Sequence, residues 1–327
     1  MHPILFPSSS YITYISLIVL ILCRGISGAT FTLINRCEFT VWPGTLANAG
    51  SSPLDSTGFE LGPGSSRVFH SSTSWSGRFW GRTGCSFDPS TGRGSCLTGD
   101  CGSGQIECNG AGAQPPATLA EFTVGSSFGT GQDFYDVSLV DGYNLPMLVD
   151  TSGGSGSCVS TGCAADLNRA CPAELRGGSG GGCKSACEAF GSPEYCCSGA
   201  FATPDTCKPS VYSEMFKAAC PRSYSYAYDD ATSTFTCTGA DYTITFCPPL
   251  SSSKKSLTPN APSTTGTTTP GGTPTSSGYA QSPPDESDSI FPWLPDFANG
   301  DAPRTLSIDH DLTILLCISI FYMLLLH

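Results

Sequence analysis

The chain has 327 residues, of which 18 are cysteine and only 13 % are charged, and its formal net charge is −12. Residues 29–250 contain 11 Lys and Arg against 20 Asp and Glu, a net charge of −9. Such an acidic region repels a phosphate backbone, so we do not expect nucleic acid as a partner. Cationic partners and neutral polar partners, including carbohydrate, are left open.

The N-terminal residues predict export. An apolar run at residues 14–23 is followed by Arg24 and by small residues, which is typical of a secretory signal peptide cut near Gly28 or Ala29. We therefore expect residues 1–28 to be removed. An N-terminal membrane anchor is the alternative, although the run is short for a membrane span.

Residues 29–157 and 221–250 carry short alternating patterns separated by Gly, Ser and Thr, and these predict an all-β sandwich or barrel. The first strand is expected at residues 30–35 and the next at residues 39–42, with Pro43 and Gly44 as a turn. Further strands are expected at residues 65–70, 77–81, 134–144, 233–237 and 241–246.

The character of the sequence changes at residues 158–220. This segment contains nine of the sixteen cysteines that lie outside the two end segments. Short helices are expected at residues 173–176, 184–190 and 210–219. We interpret the segment as a disulfide-stapled subdomain whose own core is too small to fold alone.

Residues 251–298 are rich in Ser, Thr, Pro and Gly and predict a disordered, O-glycosylated stalk. An apolar tail at residues 312–326 follows a polar spacer and small residues, which is the pattern of a glycosylphosphatidylinositol anchor signal. We expect residues 299–327 to be this signal, with Asn299 or Gly300 as the attachment residue. A C-terminal helix anchor is the alternative, and both place the protein outside the cell at the plasma membrane.

Sixteen cysteines lie between Cys37 and Cys247, and an even number in an exported chain predicts eight disulfides. Spacing alone does not fix their pairing. Zinc sites are the alternative, but the spacings lack a repeated CxxC, so we expect no metal. His70 is the single histidine of residues 29–250, so a Ser-His-Asp triad would depend on it alone. No nucleotide-binding fingerprint is present, and we expect no cofactor.

Residues 134–144 (FYDVSLVDGYN) carry two carboxylates that predict a polar site. An unpaired buried carboxylate is costly, so a strand with Asp136 on its face and Asp141 at its end is a candidate for function. The alternative is that either side chain caps a turn or faces water. Because positions 136 and 141 have opposite parity, both reach one cleft only if a bulge or turn re-aims Asp141.

Several motifs in order along residues 29–250 resemble the thaumatin-like family, also known as osmotin-like or pathogenesis-related proteins. They are ATFTLINRC (29–37), FWGRTGC (79–85), GRGSCLTGDC (92–101), TLAEF (118–122), FYDVSLVDGYNLPM (134–147), CPAEL (171–175), YCCSGAF (195–201), SYSYAYDD (223–230) and TFCP (245–248).

The resemblance implies a mainly β fold: a flattened β-sandwich at residues 29–157 and 221–250, a disulfide-rich subdomain at residues 158–220, and a small disulfide loop at about residues 85–108. It also implies eight disulfides, namely Cys37–Cys247, Cys85–Cys96, Cys101–Cys108, Cys158–Cys237, Cys163–Cys220, Cys171–Cys183, Cys187–Cys196 and Cys197–Cys207.

The resemblance further implies an acidic cleft between the sandwich and the subdomain. Its residues match Arg78, Glu121, Asp136, Asp141 and Asp229, the first Asp of YAYDD. Clustered carboxylates around one arginine should raise the pKa of at least one acid while another stays ionised, as glycosidic acid–base chemistry requires. On this reading Glu121 is the catalytic acid and Asp136 the nucleophile or base.

The implied ligand is β-1,3-glucan or a similar wall polysaccharide, and the implied role is antifungal plant defence. Binding is favoured over catalysis, because carboxylates bind sugar hydroxyls without cleaving anything. A weak endo-β-1,3-glucanase and a non-catalytic wall or receptor-associated protein are the alternatives. We expect a monomer that is held at the plasma membrane by a lipid anchor.

Overall fold

The computed structural model describes residues 28–125, 131–178 and 181–249. The expected signal peptide, stalk and anchor signal lie outside these residues, except that Gly28 begins the described part. Within the described ranges, no helix is both long enough and apolar enough to cross a membrane.

The protein is mainly β, as the sequence predicts. Its strands are β1 Thr30–Asn35, β2 Trp42–Ala47, β3 Ser66–His70, β4 Ser76–Arg82, β5 Ser86–Phe87, β6 Gly94–Ser95, β7 Leu119–Thr123, β8 Gln132–Ser138, β9 Met147–Ser155, β10 Thr161–Cys163 and β11 Phe235–Phe246. Strands β5 and β6 pair only with each other, and the remaining nine form one sheet.

The long strand β11 makes this sheet branch. Residues 235–238 of β11 pair antiparallel with β8, and residues 242–246 pair in parallel with β1. Strand β8 continues through β7 and β4 to β2, whereas β1 continues to β3. Residues 235–237 and 241–246, which the sequence assigns to two strands, therefore belong to one strand with two sets of partners, whereas Ser233 and Thr234 lie before that strand.

The two branches face each other across an aromatic core, which is how the expected sandwich is built. The ring of Phe31 on β1 lies 4.8 Å from that of Phe122 on β7, and Phe69 on β3 lies 6.2 Å from Phe79 on β4. Alternate residues of β1 are buried, so its inner face supplies this core and its other face is half-exposed.

The expected turn at Pro43 and Gly44 is wrong, because both residues lie inside β2. Strand β2 ends the order of the named strands, and on its other side Pro43 contributes only its carbonyl, which accepts from the Phe59 N–H at 3.2 Å, so the proline is tolerated without an N–H. Gly44 is required for space: a Cβ at this position would lie 2.4 Å from the ring of Trp80. Crowding in the sheet, and not turn formation, explains the glycine.

Residues 158–220 contain short helices, as expected. The helices of the described residues are α1 Leu167–Ala170, α2 Ala186–Phe190, α3 Pro193–Cys196, α4 Val211–Ala219 and, after this segment, α5 Asp230–Ser233, with 3-10 turns at Ala173–Leu175 and Gly199–Phe201. The side chain of Ser185 caps α2, and Ser210 forms a capping box with Ser213 at the start of α4.

A second hydrophobic cluster joins this segment to the turn after β8. Leu139 and Tyr143 pack there with Leu175, Phe216 and several half-cystines. The backbone groups of Tyr143 and Cys183 exchange two hydrogen bonds of 2.7 Å each. The subdomain is therefore fixed to the end of β8, next to the acidic residues of that strand.

Eight disulfides staple the described chain. They are Cys37–Cys247, Cys85–Cys96, Cys101–Cys108, Cys158–Cys237, Cys163–Cys220, Cys171–Cys183, Cys187–Cys196 and Cys197–Cys207. These are the same eight pairs that the family resemblance implies. The Cys37–Cys247 bond joins positions 210 residues apart and so closes nearly the whole described chain.

The loop at residues 101–108 is held by a carboxylate. Glu107 accepts hydrogen bonds from the Thr57 backbone N–H at 2.6 Å, the Gly58 N–H at 2.9 Å and the hydroxyls of Ser56 and Thr57. Burial alone would raise the pKa of Glu107, but these hydrogen bonds outweigh it and lower the pKa below its usual value. The buried guanidinium of Arg82 donates to the Ile106 carbonyl at 2.6 Å beside it.

Candidate functional site

Three polar side chains lie side by side across three neighbouring strands. Arg78 on β4 is directly opposite Glu121 on β7, and Glu121 is directly opposite Asp136 on β8. Cross-strand partners project from the same face of a sheet. Their sequence neighbours Phe122 and Tyr135 belong to the aromatic core, so the polar row occupies the opposite face.

The row combines one cation with two carboxyl groups. Arg78 Nη1 lies 3.6 Å from Glu121 Oε1, and both side chains are 25 % exposed. Asp136 is only 7 % exposed, and its buried Oδ1 accepts no hydrogen bond from any described residue. Glu121 therefore has a cationic partner within ion-pair distance, whereas Asp136 has a carboxyl oxygen without a donor.

The different surroundings of Glu121 and Asp136 shift their pKa values to different extents. Burial raises the pKa of Asp136 well above its usual range, the Glu121 carboxylate raises it further, and Arg78 opposes both. Burial also raises the pKa of Glu121, where Arg78 again opposes the shift. Two close carboxylates do not both ionise readily, and because Glu121 faces the guanidinium, the larger shift of the pKa towards the protonated form falls on Asp136.

Asp141 reaches the row because the chain turns after β8. The strand ends at Ser138, and a turn follows in which the Gly142 N–H donates to the Leu139 carbonyl at 3.0 Å. This turn redirects the chain, so the opposite parity of positions 136 and 141 does not place Asp141 on the far side of the sheet from Asp136. Burial raises the pKa of Asp141 and Arg78 opposes the shift, which places this carboxylate in the field of the same guanidinium.

Gly142 is needed for this turn. Its φ is +83°, and a Cβ there would lie 2.7 Å from the carbonyl oxygen of Cys183. A larger residue would therefore push the turn away from the subdomain and move Asp141 with it.

The subdomain faces this row with acids of its own. Glu188 on α2 forms an ion pair with Lys184 at 3.4 Å. Burial raises the pKa of Glu188, Lys184 opposes the shift, and the nearby Asp141 carboxylate adds to it. The sequence analysis missed Glu188, because its spacing from Lys184 signals only a helical ion pair.

Asp229, the fifth predicted cleft residue, is held by Lys217 on α4 and by the nearby Ser225. Its Oδ2 lies 2.9 Å from Lys217 Nζ and accepts hydrogen bonds from the Ser225 N–H and hydroxyl at 3.0 Å each. The adjacent Asp230 is the one that raises the pKa of Asp136. The structure thus brings Arg78, Glu121, Asp136 and Asp141 together and adds Asp230 to them.

The acidic cluster does not have the arrangement of a metal site. In the described ranges, no group of three or more His, Cys, Asp or Glu side chains is placed to hold a metal ion. His70 lies on β3 with its Nδ1 3.5 Å from the Thr30 hydroxyl, on a strand that pairs with β1 and not with the strands of the polar row. The chemistry available at the row is that of carboxyl groups and one guanidinium.

A model of the thaumatin family matches residues 35–248. The chain belongs to the thaumatin family. It is 72 % identical over 230 residues to "Thaumatin-like protein 1" of Arabidopsis thaliana, a match that covers 69 % of this chain and 88 % of that protein. It is 60 % identical over 230 residues to "Pathogenesis-related thaumatin-like protein 3.5" of Cryptomeria japonica, covering 69 % of this chain and 92 % of that protein.

A further relative has the name of an enzyme. The chain is 54 % identical over 229 residues to a "Glucan endo-1,3-beta-glucosidase" of Prunus avium, covering 68 % of this chain and 92 % of that protein. The family match spans all of the polar row, the turn that bears Asp141 and the segment that bears Asp229 and Asp230. The polar row of this thaumatin-like chain therefore lies within the residues that the family model matches.

Proposed function

We propose that this thaumatin-like protein binds β-1,3-glucan or a similar neutral wall polysaccharide in the cleft formed by Arg78, Glu121, Asp136 and Asp141, and that it serves in antifungal defence. The observation that carries the proposal is that Glu121 forms an ion pair with Arg78, whereas the buried Asp136 opposite it has a carboxyl oxygen without a donor and a raised pKa. Such a pair offers a strong acceptor and a strong donor side by side.

The chemistry of a neutral sugar fits this pair. A sugar hydroxyl both donates and accepts hydrogen bonds, so neighbouring hydroxyls of one residue match an ionised carboxylate and a carboxylic acid. Among the charged groups of the cleft region, acids outnumber bases, and a polyanionic polysaccharide would be repelled. The name of the Prunus avium relative supports a β-1,3-glucan as the first candidate.

The binding proposal is tested with the full-length chain purified with its disulfides intact. We expect measurable affinity for soluble β-1,3-glucan and none for a polyanionic polysaccharide of similar length. Glu121→Gln should weaken glucan binding about five- to tenfold, since the amide keeps an acceptor and loses only the charge, and hydrogen bonds to charged groups exceed neutral ones by about 1–1.5 kcal/mol. Equal affinity for the polyanion, or an unchanged affinity in Glu121→Gln, would contradict the proposal.

Weak endo-β-1,3-glucanase activity is the second candidate, and the cross-strand pairing of Glu121 with Asp136 favours it. Directly opposite residues have Cβ atoms about 4.5–5.5 Å apart. That spacing is nearer to the carboxyl separation of retaining glycosidases, about 5–5.5 Å, than to the roughly 6.5–9.5 Å of inverting ones. The ion pair of Glu121 favours Asp136 as the acid and Glu121 as the nucleophile, the reverse of the roles expected from the sequence.

This enzymatic candidate has its own test. Release of reducing ends from soluble β-1,3-glucan should disappear in Glu121→Gln and in Asp136→Asn, and the first product should retain its anomeric configuration. Binding without any release in the wild-type protein would leave recognition as the function of the cleft.

We also propose an extracellular location with a lipid anchor, on the strength of the sequence pattern around Asn299 and Gly300. Phosphatidylinositol-specific phospholipase C should release the protein from intact cells. Retention after verified cleavage of a control anchored protein would favour a C-terminal helix. An anchored protein would act at the boundary between plasma membrane and wall, which also fits a non-catalytic, receptor-associated role.

A further inference from the structure

A cavity of about 170 Å³ lies where β8 and β11 meet the start of the described chain. Asp133 and Asp241 contribute carboxylates to its wall, and Gly28 and Ala29 form part of the same wall. Asp133 and Asp136 are three positions apart on β8, so their side chains project from opposite faces of the strand. The described lining contains no Lys, Arg or His. The cavity is therefore acidic and distinct from the polar row.

Both carboxylates are held by hydrogen bonds that leave them able to accept more. Asp133 is 4 % exposed, its Oδ1 accepts from the Gly125 N–H at 2.7 Å, and its Oδ2 accepts from the Tyr242 hydroxyl at 2.9 Å. Asp241 Oδ1 accepts from the Thr30 N–H at 2.8 Å. A carboxylate has about four lone-pair sites, so each of the two can take a further donor. A cation in the cavity would meet two acceptors that are already positioned.

The chain is fastened to β3 and its flank where it borders this cavity. Ala29 is 5 % exposed, its N–H donates to Ser71 Oγ at 3.1 Å, and its carbonyl accepts from the Ser71 N–H at 3.0 Å. The Gly28 N–H donates to the Ser71 carbonyl at 3.1 Å, and a Cβ on Gly28 would lie 2.3 Å from the carbonyl oxygen of Ser72. Because the peptide bond between Gly28 and Ala29 is packed in this way, a protease can reach it only before this edge folds.

Cleavage at the expected position changes the chemistry of this edge. Removal of residues 1–28 turns the amide N–H of Ala29 into an α-ammonium group with three donors. One donor keeps the contact with Ser71 Oγ. The Ser71 carbonyl loses the Gly28 N–H and, since Ser71 is buried, needs another donor. The positive charge itself requires a counter-ion when water is excluded, and the cavity wall offers the carboxylates of Asp133 and Asp241.

We propose that this cavity is the binding site of the α-ammonium group that removal of residues 1–28 creates at Ala29, with Asp133 and Asp241 as its counter-ions. The inference rests on the expected signal-peptide cleavage and goes beyond the proposed function of the cleft. The precursor lacks this cation, whereas the mature chain gains an ion pair that joins its first residue to β8 and β11. Processing during export therefore completes the fold at this edge.

The position of the first residue provides the first test. Intact mass of the exported protein should show that it begins at Ala29. A matched variant is processed so that it begins at Ser27, which moves the amino group by two residues and keeps the native sequence. At pH 7 the chain that begins at Ala29 should melt about 2–4 °C higher. An exported chain that begins at another residue, or equal Tm values for the two chains, would overturn the proposal.

The pH dependence separates a charge effect from a steric one. An α-amino group has an ordinary pKa of about 7.7–8.0, and two nearby carboxylates should raise it by about one unit. A raised folded-state pKa gives stability that is fully present below the unfolded value and is lost as pH rises through the folded value. The Tm advantage of the chain that begins at Ala29 should therefore vanish by about pH 10. His70, beside the Thr30 hydroxyl, and Tyr242 are common to both chains, so their titration cancels. A difference that persists unchanged at pH 10 would contradict the counter-ion role.

Direct titration of the amino group assigns the counter-ions. Reductive methylation with 13C keeps the amine charged, and NMR then gives the pKa of the Ala29 amino group in each variant. Asp133→Asn and Asp241→Asn should each lower this pKa, whereas Asp55→Asn, which removes an exposed carboxylate outside the cavity, should leave it unchanged. Asp241→Asn keeps an acceptor for the Thr30 N–H, so it decides the question even if Asp133→Asn fails to fold. An unchanged pKa in Asp241→Asn, or an equal decrease in Asp55→Asn, would overturn the assignment.

Discussion

Glu121 and Asp136 lie directly opposite each other on adjacent antiparallel strands, and only Glu121 has a guanidinium within ion-pair distance. This asymmetry raises the pKa of Asp136 further than that of Glu121, although the two side chains are chemically similar. It also makes stability depend on pH in a direction opposite to that of ordinary surface carboxylates. The predictions below follow from this pair and from the contacts that support the fold around it.

Asp136→Asn should stabilise the protein at neutral pH. The folded-state pKa of Asp136 is raised, so its cost to stability appears as pH rises above the unfolded value of about 4 and is absent below it. The amide keeps the shape without this cost. Each kcal/mol regained should raise the Tm by about 2–4 °C. Thermal unfolding at pH 7 and pH 4 measures the effect, and an equal Tm shift at both values would contradict the raised pKa.

Arg78→Gln should destabilise the protein at pH 7, because the half-buried Glu121 loses its compensating charge. We expect a loss of about 1–3 kcal/mol, less than for a fully buried pair, since both side chains retain some exposure. The folded-state pKa of Glu121 then rises further, so the penalty should shrink as pH falls towards 4. Arg78→Gln combined with Glu121→Gln should recover much of the loss, and simple additivity of the two changes would argue against the ion pair.

Glu107→Gln should show the opposite dependence on pH. Hydrogen bonds from Thr57, Ser56 and Gly58 lower the pKa of Glu107 in the fold. The stability it contributes is therefore present above about pH 4.5 and lost as pH falls through the lowered folded value. We expect a loss of about 1–3 kcal/mol at pH 7. Thermal melts from pH 7 to pH 3 check this, and a deficit that grows with acidification would be inconsistent with the contacts described.

Replacing Cys37 and Cys247 together by alanine should cost the most of any disulfide on chain-entropy grounds. The bond joins positions 210 residues apart, and the loop it closes corresponds to about 5 kcal/mol. The more exposed Cys85–Cys96 bond, with a separation of 11, serves as the matched control at about 3 kcal/mol. Denaturant unfolding of both double variants gives the comparison, and a larger loss in the control would contradict the loop-length explanation.

Many strands of the β-sandwich can be predicted from local sequence patterns. Residues 30–33 alternate between polar and apolar, and the structure places β1 at Thr30–Asn35 with its alternate residues buried. Pro43 and Gly44 were misread because a local pattern does not reveal that a strand lies at a sheet edge or that Trp80 fills the space over the glycine. The single strand β11 was read as two, because its break in alternation at residues 238–240 coincides with a change of pairing partner.

The residues of the candidate site can be predicted only in part from the sequence. Arg78, Glu121 and Asp136 lie in one row because of the register of their strands. The family motifs identify these three residues, whereas the local sequence alone does not predict the register. The sequence places Asp141 on the strand face opposite to that of Asp136, and the turn at Gly142 removes this conflict. Asp229 pairs with Lys217 whereas Asp230 accepts from Tyr224, and no local pattern distinguishes two adjacent aspartates.

Co-sedimentation with insoluble β-1,3-glucan tests the central claim most directly. The wild-type protein and Asp55→Asn, which removes an exposed carboxylate that pairs with Arg67 away from the polar row, should both pellet with the glucan. Arg78→Gln and Glu121→Gln should pellet about five- to tenfold less at limiting glucan, at a temperature where all variants are folded. A wild-type protein that stays in the supernatant, or equal pelleting of the wild type and all three variants, would contradict the assignment of the acidic cleft as a glucan-binding site.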